Sequence, residues 1–357
     1  MDQVRYGIIG CGHMALEHLA DIRALEGTNV VAGADPDAGS RARFASVAGD
    51  VVMFEDHAAL LESGLCDAVV VAAPNHRHRE ILLDVARYPL HVLSEKPLCI
   101  TVDECREVID AFAGSDRVVW MGLEYRYKPA IARLLEDVAT GEVGDVVMVA
   151  IREHRYPFLH KVGAWNRFRA QSGGTLVEKC CHFFDLMNLI TRARPTRVMA
   201  SGAQDVLYKD ETYAGRTPDI IDNALVIVDF EGGARGLLDL SMFTESGPWE
   251  QEIAVTGSRG KAEAFIPIDP ADGFGRIRVG KRERGVVVDE QVFVDDVAHM
   301  GYHSGADYLE HVGFLEAIRA GSPAEVTFEE GMWAVAVGQA AHRSIDEGRV
   351  VAMDEVL

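Results

Sequence analysis

The residues best suited to moving a proton lie in one stretch, Thr175–Ile190, TLVEKCCHFFDLMNLI. Read as a single helix at about 100° per residue, it places Glu178, His182, Asp185 and Leu189 within an arc of about 60°. Most other positions are apolar, and a helix apolar nearly all round is buried. Buried titratable groups on one stripe need partners or a purpose. A carboxylate one turn before an imidazole can set its tautomer and let it act as a base. An internal Glu–His pair that merely holds a core helix has the same spacing. Lys179 borders this stripe or pairs with an exposed acid.

A second candidate, Ser94-Glu95-Lys96-Pro97, closes the fifth in a series of apolar strands. Ligands of open α/β sheets bind at that edge. A lysine there can reach a substrate oxygen and favour the alkoxide that forms as a proton leaves; a surface lysine before a turn proline is the plainer reading. An X–Pro bond is cis in only about 5–6% of cases, so local sequence does not license a cis Lys96–Pro97. Ala73-Pro74-Asn75-His76-Arg77-His78 ends the fourth strand at the same edge, where Asn75 can hold a ribose or a carboxamide. From Arg152 to Arg169 the chain carries Arg152, Arg155, Lys161, Arg167 and Arg169 against the single acid Glu153. That is either a lid with donors for a hydroxyl-rich or anionic substrate, or a subunit contact or phosphate cover. No metal is expected: Cys180, Cys181 and His182 are adjacent and point apart, and His76 and His78 have no acid or thiol beside them.

The elements that must position these groups begin at the N-terminus. Val4–Ile9 is a short apolar run, the pattern of a strand buried on both faces. Gly10-Cys11-Gly12-His13-Met14-Ala15 follows it and leads into a helical run to Ile22. This is the G-x-G-x-x-A dinucleotide fingerprint: Gly10 for the tight turn, Gly12 for the approach of a pyrophosphate, Ala15 for helix–strand packing. Bound phosphates then meet free N–H groups and the positive end of the helix dipole. A second strand, Asn29–Ala34, ends in Asp35, where a carboxylate accepts both ribose hydroxyls of NAD. A 2′-phosphate beside Asp35 would cost on the order of 4 kcal/mol at about 4 Å and an effective dielectric of about 20. Arg41 and Arg43 can relieve part of that, so NAD is favoured and NADP remains open.

Further strands are expected at Val51–Phe54, Asp67–Ala73, His91–Leu93 and Val118–Leu123, with helices at Ala38–Ala48, Asp56–Ser63, Glu80–Arg87 and Val102–Ala113. Repeated β-α units demand a doubly wound parallel sheet. Beyond Tyr125 the pattern changes. A helix at Pro129–Ala139 joins Thr175–Ile190, among alternating strands at Val146–Arg152, Arg197–Ala203, Asn223–Phe230, Ala234–Leu240, Gln251–Thr256 and Lys261–Ile266. Gly232-Gly233 and Ser258-Arg259-Gly260 read as hairpin turns, so this second part is an α+β domain with a large, mostly antiparallel sheet. Helical periodicity returns at Tyr308–Ala320 and Phe328–Glu347. The formal net charge of −21 argues against nucleic acid or an anionic membrane as partner. Six cysteines scattered among apolar residues make no disulfide framework. With no basic-then-apolar leader and no membrane-length apolar run, a cytoplasmic protein is expected.

Taken together the chain resembles the Gfo/Idh/MocA family of oxidoreductases. The resemblance rests on GIIGCGHM at 7–14, APNHRH at 73–78, SEKPL at 94–98, MGLEYRYKP at 121–129, Trp165 before GGTL at 173–176, and EKCCHFFD at 178–185. It implies a Rossmann domain over 1–123 that binds NAD(P), and a substrate-binding and oligomerisation domain over 124–357. It also implies a homodimer or homotetramer, and a lysine that usually follows into a cis peptide. The family's D-x-G-x-H pattern places its histidine at His182 and its acid at Glu178. This chain departs from that pattern, with glutamate for aspartate and Cys180 for glycine.

By position, the resemblance implies catalysis by Lys96, His182 and Glu178. Cofactor contacts fall at Gly10, Gly12, His13, Met14, Asp35, Ala73, Pro74, Asn75, His78, Glu95, Lys96 and Trp165. Substrate contacts fall at Lys96, Arg126, Arg155, Asn166, Glu178 and His182. The implied activity is NAD-dependent, reversible oxidation of a secondary hydroxyl of a sugar, inositol or glycoside. In that scheme His182 is the base, Lys96 stabilises the oxyanion, and Glu178 sets the state of His182. Two other readings are an NAD-dependent glycoside hydrolase or lyase working by transient oxidation, and a nucleotide-sensing regulator without turnover.

Overall fold

The computed structural model describes residues 3–282, 287–295 and 297–357. The N-terminal part alternates strand and helix as its apolar runs require. Its elements are β1 (Val4–Ile9), α1 (His13–Ala24), β2 (Thr28–Ala34), α2 (Ala38–Ala48), β3 (Val52–Phe54) and α3 (His57–Glu62). They continue with β4 (Ala68–Val71), α4 (His78–Val85), β5 (His91–Glu95), α5 (Val102–Phe112) and β6 (Val119–Gly122). All strand pairs are parallel, in the order β3-β2-β1-β4-β5-β6. Strand β4, AVVV, is buried at every residue, as a strand covered on both faces must be. The winding reverses between β1 and β4, which opens a crevice at the carboxyl ends of these strands.

The rest of the chain runs through α6 (Pro129–Ala139), β7 (Val146–His154), α7 (Arg169–Ser172), α8 (Thr175–Glu178), α9 (Cys181–Thr191), β8 (Pro195–Ala203) and β9 (Asn223–Phe230). It then forms β10 (Arg235–Ser241), β11 (Trp249–Gly257), β12 (Gly260–Pro267), β13 (Arg276–Lys281), β14 (Val287–Gln291), α10 (Ala306–Ala320), α11 (Phe328–Glu347) and β15 (Val351–Ala352). Nine strands make one sheet, β14-β13-β12-β11-β7-β10-β9-β8-β15. Only β7 and β10 run parallel in it; the other pairs are antiparallel.

Period-two alternation gives this sheet two unlike faces. Ala224, Val226, Val228 and Phe230 of β9 turn inward to the side covered by α9 and α11. Leu225 and Ile227 turn outward and are exposed, beside exposed Leu237 of β10 and Met199 of β8. Helices α10 and α11 return to the N-terminal sheet: α10 packs on α1, and α11 on α5 and β6. The Met121 N–H on β6 donates to the Val326 carbonyl at 3.0 Å.

The structure departs from the sequence expectation in two places. Strands β13, β14 and β15 were not anticipated. β14 is exposed at every residue, so it has no apolar face to betray it, and β13 sets only Ile277 and Val279 among charged neighbours. The larger departure is the stretch expected as one helix over Thr175–Ile190. It is two helices, α8 and α9, broken at Lys179–Cys180. At the break the Cys180 N–H reaches back to the Thr175 carbonyl at 3.3 Å, a five-residue span that widens the turn.

Candidate functional site

The crevice at the switch point is built by β1 and α1. Gly10 has φ +93°, and a Cβ there would lie 2.6 Å from the Ala73 nitrogen. The turn therefore rests directly on the end of β4. Around Gly12 the reverse holds: a Cβ would meet nothing within 4 Å. Helix α1 has no side-chain cap, so its first N–H groups are left for a ligand. Asp35 stands at the tip of β2, its carboxylate accepting the Cys11 N–H and the Asp37 N–H, each at 2.8 Å. Arg41 is turned to the Asp35 main-chain carbonyl and to Glu55, and Arg43 to Ser40. This cradle fits the pyrophosphate and ribose of a dinucleotide.

The other expected cofactor residues fall into two groups. His13 is exposed with its ring 5.0 Å from that of Tyr302, and Met14 is half-buried beside it. Ala73, Pro74 and Asn75 end β4 at the crevice, and the buried Asn75 amide donates to the Ser172 carbonyl at 2.9 Å. Trp165 is buried, with the Lys161 ammonium 4.9 Å from its ring. His78 is a correction. It is fully buried, with Nδ1 2.8 Å from the Pro97 carbonyl and Nε2 2.9 Å from the Ala73 carbonyl. It braces two loops, its one N–H donating to a carbonyl on one of them, and both its nitrogens are turned to protein.

The Lys96–Pro97 peptide is cis. Glu95 is buried; one oxygen accepts the Lys96 N–H at 3.1 Å, and the other lies 3.1 Å from His18 Nε2. The Lys96 ammonium donates to the main-chain carbonyl of Glu178 at 3.2 Å. That carbonyl is available because the helix breaks there, and the Cys181 thiol donates to it as well. The β5 edge is thereby joined to the start of α9, one turn from His182.

His182 is buried, and no hydrogen bond joins it to Glu178. Among the described residues neither its Nδ1 nor the Glu178 Oε2, both buried, has a partner, which corrects the expected Glu178–His182 pair. The break turns α9 away from the register that the pair needs. The carboxylate at His182 is instead Glu124, in the 3₁₀ turn after β6, with Oε1 3.4 Å from Nε2. The Tyr125 ring stacks on the imidazole.

Burial, and after it the charges of Lys96, Lys179, His303 and Lys128, hold His182 well below the usual histidine range. It is a neutral imidazole near pH 7. Burial also works against the Lys96 ammonium, but Cys181, Glu95, Glu178 and Glu124 together outweigh it and raise the pKa. Glu178 is raised by burial, with Lys161, Lys96, Arg167 and Arg155 pulling the other way. Glu124 is pushed up to about 7 by burial, against the pull of His303. A neutral base and a charged lysine thus share one buried site.

Several expected residues are engaged elsewhere. Lys179 is buried and pairs with the buried Glu153 at 2.9 Å, not with an exposed acid. Arg126 holds Asp185 through Nε and Nη2, and Nη2 also reaches Glu330 at 2.9 Å. It is therefore a brace between the turn after β6, α9 and α11. Asn166 donates to the Leu159 carbonyl at 3.0 Å, while its Oδ1 is buried and unpartnered. Arg155 lies between Glu153 and Glu250, at 3.8 and 3.7 Å. Three more cations of the basic run meet acids from distant segments: Arg152 pairs with Asp239, Arg167 with Glu211 and Arg169 with Asp346.

Sequence reasoning missed Glu124, His303 and Asp307, whose side-chain nitrogen and oxygen atoms lie within 4.8 Å of one another, and a second cluster of His18, Asp21 and His311. The signal for one pair was the i, i+4 spacing of His303 and Asp307 at the start of a helix. All six cysteines are buried and free. Among the described residues, no helix is long and apolar enough to cross a membrane.

Residues 4–123 match the family model of the oxidoreductase family, NAD-binding Rossmann fold, and residues 136–353 match that family's C-terminal alpha/beta domain. A myo-inositol 2-dehydrogenase of Thermotoga maritima is 26% identical over 360 residues, covering 99% of this chain and 100% of that protein. The rhizopine catabolism protein MocA of Rhizobium meliloti is 26% identical over 343 residues, covering 96% and 95%. An oxidoreductase from Agrobacterium radiobacter, solved with NAD+, L-tartaric acid and magnesium, superposes with a TM-score of 0.84 at 17% identity, covering 99% and 100%.

Proposed function

The chain belongs to the Gfo/Idh/MocA oxidoreductase family, and from that membership we propose that it is an NAD-dependent dehydrogenase of a secondary alcohol in a sugar, inositol or glycoside. The observation that carries the reading is the Lys96 ammonium at the Glu178 carbonyl, 3.2 Å away, one turn before His182. Two segments far apart in sequence close there on one buried site beside the dinucleotide crevice.

In this reading residues 1–123 hold the dinucleotide and 124–357 the substrate. NAD, when bound, supplies the hydride acceptor. The free N–H groups of α1 and the open approach at Gly12 take the pyrophosphate, and Asp35 takes the ribose hydroxyls. Among the described residues no cation pairs with the Asp35 carboxylate, since Arg41 is spent on the Asp35 main-chain carbonyl and Glu55, which favours NAD over NADP. His182, neutral and buried, takes the hydroxyl proton, a role typically worth 10²–10⁴-fold in rate. Lys96 keeps its charge and steadies the oxyanion. The unpartnered Glu178 oxygen accepts from a substrate hydroxyl, and the buried Asn166 oxygen offers a second acceptor.

The outward apolar face of β8, β9 and β10 is the seat of a second copy of the chain, in keeping with the homodimer or homotetramer that the family resemblance implies. Screening a polyol and glycoside panel for NADH absorbance, with NAD and NADP in parallel, tests the reading. Aglycone release with no net NADH would replace it with transient oxidation.

A further inference from the structure

Lys96 is pinned at both ends. Its ammonium donates to the Glu178 carbonyl at 3.2 Å, and its own main-chain N–H donates to Glu95 at 3.1 Å. The far pin lies at the site itself, and the near one leads away from it. The second oxygen of Glu95 lies 3.1 Å from His18 Nε2, and His18 Nδ1 lies 2.9 Å from His311 Nε2. Every distance in this chain is that of a hydrogen bond. His18 is 1% exposed and His311 0%. His18 belongs to α1, Glu95 to β5 and His311 to α10, so three elements distant in sequence meet at one imidazole. The mechanism above uses neither histidine.

We propose that His18 is a positioning residue for Lys96, acting through Glu95, and that His311 keeps it in that role. The proposal rests on the reading of Lys96 as the group that steadies the oxyanion. A buried carboxylate without a donor turns to find one or takes up a proton. Either change would loosen the Lys96 N–H, and with it the root of a flexible four-carbon stem. The ammonium at the far end would then lose its place at the site.

The protons in this chain are fixed from its Glu95 end. Burial opposes the charge on Glu95, but His18 and then Lys96 hold its carboxyl below the usual range. An ionised carboxylate only accepts, so His18 Nε2 carries a proton. At Nδ1 there are two arrangements. A charged His18 donates to a neutral His311; a neutral His18 accepts from the His311 Nε2–H. The Nε2–H to Glu95 is the same in both. Burial opposes the His18 charge as the largest effect, yet Glu95, Asp307 and Asp21 outweigh it and raise the pKa. Burial, and after it the charge of His18, push His311 down to about 3. His311 therefore stays neutral and serves either arrangement. The groups facing His18 are thus Asp21 from its own helix, Glu95 from β5, and Asp307 and His311 from α10.

The test uses the enzyme with NAD and a polyol it oxidises. The amide nitrogen of a glutamine falls where Nε2 stands, and that of an asparagine where Nδ1 stands. His18→Gln should therefore keep most of kcat. His18→Asn cannot reach Glu95 and should lower kcat by about 10²-fold, the loss for a group misplaced by about 1 Å, with the KM for NAD unmoved. In the Lys96→Met background the same His18→Asn change should lower kcat no further, because the group it positions is gone. A second readout needs neither turnover nor the asparagine variant. Without NAD or polyol, the nitrogen NMR spectrum of the histidine rings should hold an Nε2–H signal that does not titrate between about pH 5 and 8 and is missing from His18→Gln. Equal losses from His18→Asn with and without Lys96 would make His18 a core residue only and overturn the positioning role. So would a wild-type kcat in His18→Asn, or loss of the His18 Nε2 proton in that pH range. A wild-type enzyme that reduces NAD with none of the polyols tried removes the dehydrogenase reading, and the positioning role with it.

Discussion

The imidazole of His182 lies flat on the phenol ring of Tyr125, with centroids 4.0 Å apart and planes 11° from parallel. Tyr125 is itself clamped. The Lys128 ammonium sits 3.8 Å from its ring centroid, and its hydroxyl accepts from Lys179 and Gln251. This stack gives the imidazole its tilt and turns its Nε2 edge to Glu124. A general base misplaced by about 1 Å can lose on the order of 10²-fold in rate. Tyr125→Leu should therefore lower kcat by about that factor with NAD affinity unchanged. Tyr125→Phe, which keeps the ring, should lose far less. Equal losses in steady-state kinetics would show that the hydroxyl, not the stack, matters.

His182 itself gives a sharper expectation. His182→Ala should lower kcat by about 10²–10⁴-fold, the usual range for a lost general base. NAD should still bind, because the cradle of Gly10, Gly12 and Asp35 is built from β1, α1 and β2, and α9 supplies none of it. Tryptophan fluorescence titration with NAD, beside the kinetics, separates the two effects. Unchanged turnover would remove His182 from the chemistry.

The two fingerprint glycines should part company on substitution. Gly12→Ala adds a methyl group where nothing lies within 4 Å. Its Tm without nucleotide should match the wild type, while NAD binding weakens. Gly10→Ala forces a side chain onto φ +93° and against the Ala73 nitrogen. That backbone strain alone costs about 1–2 kcal/mol, so its Tm should fall before any nucleotide is added. Thermal melts with and without NAD read both outcomes.

How far these features were legible in the sequence depends on how local they are. The parallel sheet was legible because β1, β2, β4 and β5 are runs of apolar residues separated by helical periods. Lys96 and His182 were legible as chemistry at a strand end and on a buried helix. The break at Lys179–Cys180 was not, because its cause is tertiary. Lys179 reaches the buried Glu153, and the Glu178 carbonyl meets the ammonium of Lys96 from another sheet. No periodicity within 175–190 records either partner. Glu124 escaped notice for a similar reason. Its meaning lies in His182 and His303, both far along the chain from it.

Arg126 was expected at the substrate, but its place between Asp185 and Glu330 gives a different expectation. Removing one partner of a buried ion pair costs about 3–5 kcal/mol, since the remaining charge is left unpaired. Arg126→Met should lose about that much stability in denaturant unfolding. The double variant Arg126→Met with Asp185→Leu should recover a large part of it. The folded fraction of the single variant should keep a near-normal KM for the polyol. A raised KM with full stability would return Arg126 to the substrate.

Asp21 carries the clearest signature in pH. It lies on α1 beside His18 and His311, with both carboxylate oxygens buried and unpartnered. Burial first, then Asp307, pushes its pKa from 3.8 up to about 8. The folded state therefore holds a proton that the unfolded chain gives up near pH 4. Stability from a raised pKa is fully present below the unfolded value and is lost as pH rises through the folded one. The stability of the wild type relative to Asp21→Asn should thus fall by up to about 1.4 kcal/mol per pH unit between about 4 and 8, then level off. Melts of both proteins across that range isolate this group together with its pull on His18, because titrations elsewhere in the chain are common to the pair. Parallel curves would mean that Asp21 is ionised in the folded protein, and that water or a cation reaches the His18–His311 cluster.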